Sequence, residues 1–196
     1  MSDTKYKGHP RGMAYAHDRL KLLYVPIPKC SSTSIRYHIL KREYKTINYY
    51  QANSDIIKDY KSFTVIRNPI NRIKSSYIEV LRSATPEIKS KKFYNMKEGI
   101  PRYIEFLNEL ERGFFDCHVE SQSYYLDNME LDHILILENI QSDIKCISNT
   151  TLPQLRNSPP YRPLDKFFTS PEVVDRIKHI YKSDIELYEK VSEMSL

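Results

Sequence analysis

Leu22-Leu23-Tyr24-Val25-Pro26-Ile27-Pro28-Lys29-Cys30-Ser31-Ser32-Thr33-Ser34-Ile35-Arg36 joins an apolar run to a lysine and a cluster of small thiol and hydroxyl residues. The apolar run predicts a buried strand at 21–27, and the residues after the turn predict a helix from about 32 to 43. A strand–turn–helix of this kind turns backbone N–H groups and the positive end of a helix dipole toward an anion. Ser31, Ser32, Thr33 and Ser34 add hydroxyl donors, and Lys29 adds a point charge. An ordinary turn with a Ser or Thr N-cap has the same appearance over so short a stretch. The phosphate loop of ATPases is excluded, because it needs G-x-x-x-x-G-K-[ST]. Here the lysine comes first, and the glycines of the chain, Gly8, Gly12, Gly99 and Gly113, all lie elsewhere.

Ser62-Phe63-Thr64-Val65-Ile66-Arg67-Asn68-Pro69-Ile70-Asn71-Arg72-Ile73-Lys74-Ser75-Ser76-Tyr77 repeats the layout. Its β-branched and aromatic run predicts a strand at 62–66, with Arg67 at the carboxyl end. Asn68 suits an N-cap and Pro69 the first helical position, opening a helix from 69 to about 83. Arg72, Ser75, Ser76 and Glu79 then fall near one helix face. Arg67 can hold a phosphate by two parallel N–H bonds, with Ser75 reaching the same oxygens. The competing reading makes Arg67 and Arg72 solvated surface charges.

Together and in this order, the two segments resemble the 5′-phosphosulfate loop and the 3′-phosphate motif, R-[DN]-P-x-x-R-x-x-S-x-Y, of sulfotransferases. Those enzymes use 3′-phosphoadenosine 5′-phosphosulfate (PAPS) as sulfuryl donor. Arg67, Asn68, Pro69, Arg72, Ser75 or Ser76, and Tyr77 match the second motif. Later segments are similar to the carbohydrate sulfotransferase group. Cys117-His118-Val119-Glu120-Ser121-Gln122 resembles its H-x-x-P-Q segment, with Ser121 where proline is usual. Ile134 to Ile140 resembles the late strand ending in glutamate, Leu152 to Ser158 the Leu-Pro-x-x-x-Asn-x-Ser loop, and Lys166 to Glu172 a helix start. With the closing helix around 180–188, the resemblance covers about residues 20 to 190.

The resemblance implies a three-layer, P-loop-like (nucleoside-kinase-like) α/β fold with a central parallel sheet flanked by helices. It implies metal-independent, in-line transfer of a sulfuryl group from PAPS to a hydroxyl acceptor, expected on a glycan or glycolipid. Lys29 would neutralise the leaving bisphosphate, residues Cys30 to Ser34 would hold the 5′-phosphosulfate, and Arg67 and Ser75, aided by Arg156, the 3′-phosphate. A general base is needed for the acceptor proton. His118 is the first choice, since its segment matches and imidazole suits the task, with Glu120 and Glu79 as alternatives. Two other classes compete. A nucleotide-dependent phosphotransferase would need the missing Gly-rich loop. A non-catalytic nucleotide- or nucleic-acid-binding module would need a concentrated basic and aromatic surface. A sulfotransferase fold that binds donor without turnover is a further alternative.

Composition sets the frame. The 196 residues suit one domain with a substantial core, and 40% hydrophobic with 28% charged residues suit a soluble protein. The net charge of +5 favours a polyanionic ligand. Its basic residues are dispersed, with Lys89, Lys91 and Lys92 the compact cluster, so no nucleic-acid partner is expected. The 16 tyrosines read mostly as packing residues with a wet hydroxyl. Cys30, Cys117 and Cys146 have no CxxC spacing and suggest reduced thiols, with no metal site expected. Cys30 lies where a thiol could be acidified, although space filling is its simpler role. No run is apolar enough to span a bilayer and the opening residues are polar, so a cytoplasmic, microbial or viral enzyme is expected.

Along the chain, strands alternating with helices argue for a parallel α/β sheet in one domain spanning 1–196. Residues 1–19 read as a polar extension. Short strands are expected at 46–50 and 132–137, a helical turn at 53–59, and a helix at 101–111. A single amphipathic helix from 170 to 191 is expected, with Ser170 as N-cap and Pro171 at N1. Residues 84–98 and 149–166, the second rich in proline, read as active-site loops.

Overall fold

The computed structural model describes residues 10–51, 58–83, 101–113, 116–148 and 162–194. The expected helical turn at 53–59 therefore falls largely outside the described residues, as do the loop at 84–98, most of that at 149–166, and Arg156.

Five strands form one sheet: β1 (Met13–His17), β2 (Leu22–Val25), β3 (Lys45–Asn48), β4 (Lys61–Ile66) and β5 (His133–Ile136), in the order β3-β1-β2-β4-β5. The expected all-parallel sheet holds for β2, β4 and β5, in registers such as Val25 with Thr64 and Thr64 with Ile134. β1 pairs antiparallel to both β2 and β3, so the sheet is mixed. Part of the expected polar extension is thus a strand inside the sheet. The reason is local: a tight turn from Asp18 to Lys21, with Lys21 at φ 52° and the Leu20 N–H donating to His17 Nδ1 at 3.1 Å, permits only an antiparallel return.

Helices cover both faces. Tyr15, Leu22, Tyr24, Phe63, Val65 and Leu135 pack on one side against Ile35, Ile39, Leu40, Ile140 and Ile144. Those partners come from α1 (Ser32–Ser34), the π-helical turn Ile35–Ile39 that continues it, and α5 (Ile140–Asp143) with the 3-10 turn after it. On the other face, Ile66 and Ile136 pack with Tyr125 of α4 (Gln122–Leu126) and Val191 of α8 (Lys182–Met194). A further cluster joins Ile73 and Tyr77 of α2 (Pro69–Ser83) to α3 (Pro101–Glu111), α6 (Arg162–Phe168) and α7 (Pro171–Ile180).

Two helices differ from expectation. The helix after the first loop stops early: Leu40 N–H reaches back to Ile35 O, and Lys41 and Arg42 turn left-handed at φ 46° and 61°. The closing helix is two helices, broken at Tyr181, where φ −109° and ψ 37° end α7. Tyr181 and Asp184 are both buried and bond elsewhere, Tyr181 to the Val119 carbonyl at 2.6 Å, and a straight helix does not serve both anchors. Ser170 occupies the N-cap position of α7 with no side-chain cap bond. By contrast Asn68 caps α2 as expected, its Oδ1 accepting from Ile70 and Asn71 N–H.

Asp184 also anchors α4. Its carboxylate accepts from the N–H groups of Gln122 at 2.8 Å and Ser123 at 2.9 Å and from the Ser123 hydroxyl. Asp184→Ala is expected to destabilise the fold by roughly 2–4 kcal/mol, because it strands buried donors. Urea unfolding measures it; a loss under about 1 kcal/mol, an ordinary surface effect, would contradict it.

Candidate active site

The carboxyl ends of β2 and β4 are neighbours, and both sequence motifs leave the sheet there. The first turn is held in an unusual backbone: Lys29 has φ 67° and Ser31 φ 60°, left-handed values that side chains rarely adopt. Such alternation turns successive N–H groups to one side, a concavity suited to anions. Ser31 occupies the N-cap position of α1 but makes no cap bond with its hydroxyl, and the first-turn N–H groups of a helix have no intrahelical acceptor. Ser32 is buried, Ser31 and Ser34 half-buried and Thr33 exposed.

Cys30 departs from its expected place among the anion-binding residues. Its thiol is fully buried, donates to Gln122 Oε1 at 3.2 Å, and is pushed up to about 12 by burial. Its N–H is taken by Ile27 O at 3.2 Å. Both donors face inward, and burial works against an acidified thiol.

Lys29 Nζ lies 3.3 Å from Glu79 Oε2, with the two side chains 21% and 34% exposed. Arg67 Nη1 donates to the Lys29 carbonyl at 3.3 Å, tying the end of β4 to the first turn. Burial lowers the Arg67 pKa, the cost of holding a guanidinium out of water. Lys74 is also lowered, first by burial and then by the charge of Arg67, which places this part of α2 beside that guanidinium. Lys74 is ion-paired to Asp165 of α6. Of the adjacent serines, Ser76 is fully buried, and its hydroxyl bonds the carbonyls of Arg72 and His118. Ser75 is half-buried, and its hydroxyl makes no hydrogen bond among the described residues.

His118 sits against Asp116, Nδ1 to Oδ1 at 2.6 Å, with the Cys117 sulfur at 3.7 Å. The Asp116 hydrogen bond, then that of Cys117, raise the imidazole pKa to about 9 against the opposing effect of burial. For Asp116 burial acts upward, but the bonds from the His118 side chain and N–H outweigh it and leave the carboxyl below its ordinary value. The ion pair with Asp116 favours the protonated imidazole. Donor atoms of Asp116, Cys117 and His118 lie within 4.8 Å of one another, the one such metal-capable group among the described residues. Glu120 folds back on its own chain, Oε1 accepting from Ser121 N–H at 2.8 Å.

Three residues that lie in the sequence motifs but were given no role there organise the site. Gln122, fully buried, accepts from Arg67 N–H at 2.8 Å, donates to Arg67 O at 2.9 Å, and accepts from the Cys30 thiol, so one amide clamps both turns. It is the glutamine of the H-x-x-P-Q resemblance, which was the available signal. Glu138, after β5, accepts from the Asn68 N–H, at 3.2 Å to the nearer oxygen, and from Asn71 Nδ2, filling the start of α2. Arg72, matched by motif but assigned no role, is fully buried.

Two cation-bearing turns side by side at the ends of adjacent parallel strands define an α/β protein suited to a ligand with two anionic groups. The chain belongs to the Sulfotransferase family, whose sequence model matches residues 13–190. No curated protein and no solved structure gives a match. Family membership supports sulfuryl transfer as the general activity of the chain. Among the described residues, no helix is long and apolar enough to cross a membrane.

Proposed function

We propose that this protein transfers the sulfuryl group of PAPS to a carbohydrate hydroxyl. The observation that carries the reading is the contact of Arg67 with the Lys29 carbonyl, which sets a 3′-phosphate ligand beside a 5′-phosphosulfate turn. Arg67 and Ser75 bind the 3′-phosphate, with Arg156 as a third ligand. Ser31, Ser32, Thr33 and Ser34 hold the 5′-phosphosulfate with hydroxyl and N–H donors. The bond from sulfur to the bridging oxygen breaks as a bond to the acceptor oxygen forms, and Lys29 meets the charge left on the bisphosphate. The acceptor proton passes to a carboxylate, for which the contact of Glu79 with Lys29 at 3.3 Å favours Glu79. His118, held protonated, is the poorer base. The carbohydrate acceptor rests on the likeness of the 117–122 segment to the carbohydrate sulfotransferases. The chemistry requires no metal, since positioning and cationic groups carry the charge.

Calorimetric titration with adenosine 3′,5′-bisphosphate, with AMP and magnesium-ATP as controls, tests the donor. Micromolar binding that needs the 3′-phosphate and no magnesium is expected. Arg67→Ala is expected to weaken it by about 2–4 kcal/mol, roughly 30- to 700-fold in Kd, because a buried charge-assisted pair is lost. A preference for magnesium-ATP, or an unchanged Kd in the variant, would overturn the assignment.

A further inference from the structure

The guanidinium of Arg72 is the largest fully buried side chain of the described protein, and it sits directly beneath the first turn. Nε donates to the Pro28 carbonyl at 3.1 Å, one residue before Lys29. Nη2 donates to the Glu120 carbonyl at 2.6 Å. Nη1 is buried with no hydrogen-bond partner. Among the described residues no carboxylate is ion-paired with it, although other arginines of the chain, such as Arg176 and Arg11, have such partners.

A brace alone does not explain this choice of residue. Two backbone carbonyls can be bridged by a neutral donor, and a buried charge without a counter-charge is costly. The charge also acts on the turn itself: Arg72 and Arg67 both work to lower the Cys30 thiol, although burial prevails. We propose that Arg72 is a buried positioning residue for the donor's 5′ group, its charge answered by that anion when the donor binds. This inference rests on the donor reading above. Arg72 fixes the carbonyl of Pro28, and so the left-handed turn at Lys29, while its charge, which has no ion-pair partner among the described residues although the buried Asp184 acts on the same Cys30 thiol, raises the potential of the concavity formed by residues 29–34. Lys29 and Arg67 are the half-buried cations of the site; Arg72 is the fully buried one.

The test compares two ligands in calorimetry: adenosine 3′-monophosphate, which lacks the 5′ group, and adenosine 3′,5′-bisphosphate. The readout is the ratio of their Kd values. In Arg72→Gln the preference for the bisphosphate is expected to shrink about tenfold or more, while 3′-monophosphate affinity changes far less. A purely structural role would weaken both ligands together and leave the ratio unchanged, which would overturn the proposal. Arg72→Lys keeps the charge but loses the fork, so its ratio should fall by about half as much on a logarithmic scale. If Arg72→Gln does not fold, Arg72→Lys decides alone, an unchanged ratio again overturning the inference. Wild-type protein that binds neither ligand would instead remove the donor reading, and this inference with it.

Discussion

Lys29→Ala is expected to lower turnover by about two to three orders of magnitude, the loss seen when one preorganised donor to a developing oxyanion is removed. The bisphosphate should bind with a much smaller change. Lys29 Nζ is only partly buried and already shares its charge with Glu79, so ground-state affinity owes it little. Its charge matters most when the bridging oxygen becomes an anion, which is a transition-state interaction. The measurement is kcat on an acceptor found by screening glycans with labelled donor, set beside calorimetric affinity for the bisphosphate. A variant that lost affinity in proportion to turnover would make Lys29 a ground-state binder and remove it from the chemistry. Arg67 is predicted to show the opposite split, with affinity falling first, because the 3′-phosphate proposed as its partner does not change charge in the reaction.

The parts of this fold that were legible in sequence share a physical character. Leu22–Val25 is apolar and buried throughout, and Lys61–Ile66, buried after its first residue, is marked by the β-branched and aromatic run from Phe63 to Ile66. Pro69–Ser83 announces itself through Asn68 and Pro69, whose capping geometry is local. Met13–His17 was hidden because Ala14 and Ala16 supply one buried face, small residues with little strand signal, opposite Leu23 and Val25. The break at Tyr181 was hidden because its cause lies far away, in the Val119 carbonyl and the N-terminus of α4. The site follows the same rule. Lys29 and Arg67 were readable because each follows a buried strand, Lys29 in the turn after Val25 and Arg67 directly after Ile66. Arg72 matches the second motif, but its burial is not legible, because a buried guanidinium bound to carbonyls leaves no trace in hydropathy. Gln122 clamps two segments, from residues 30 and 67, that are distant in sequence, and only the folded chain makes that visible.

Glu79→Gln and His118→Gln should separate the two candidates for the base, and this carries the second large effect. General-base removal costs about 10²- to 10⁴-fold, so Glu79→Gln is expected to reduce kcat within that range while bisphosphate affinity holds. His118→Gln is expected to act mainly on stability. The sign follows from the ion pair with Asp116: its contribution is present in full below pH 6.5, the ordinary imidazole value, and is lost as pH rises through about 9. Wild type and His118→Gln should therefore differ in urea midpoint near pH 6 and converge above pH 9. In kinetics the logic reverses. A His118 base would be competent only once deprotonated, so wild-type kcat would climb with pH toward a plateau above about 9. Catalysis through Glu79 has no inflection tied to that imidazole. A rising limb that ends near pH 9 and vanishes in His118→Gln would return the role to His118. A profile with no such limb, together with the collapse of kcat in Glu79→Gln, assigns the proton to the carboxylate that already touches Lys29.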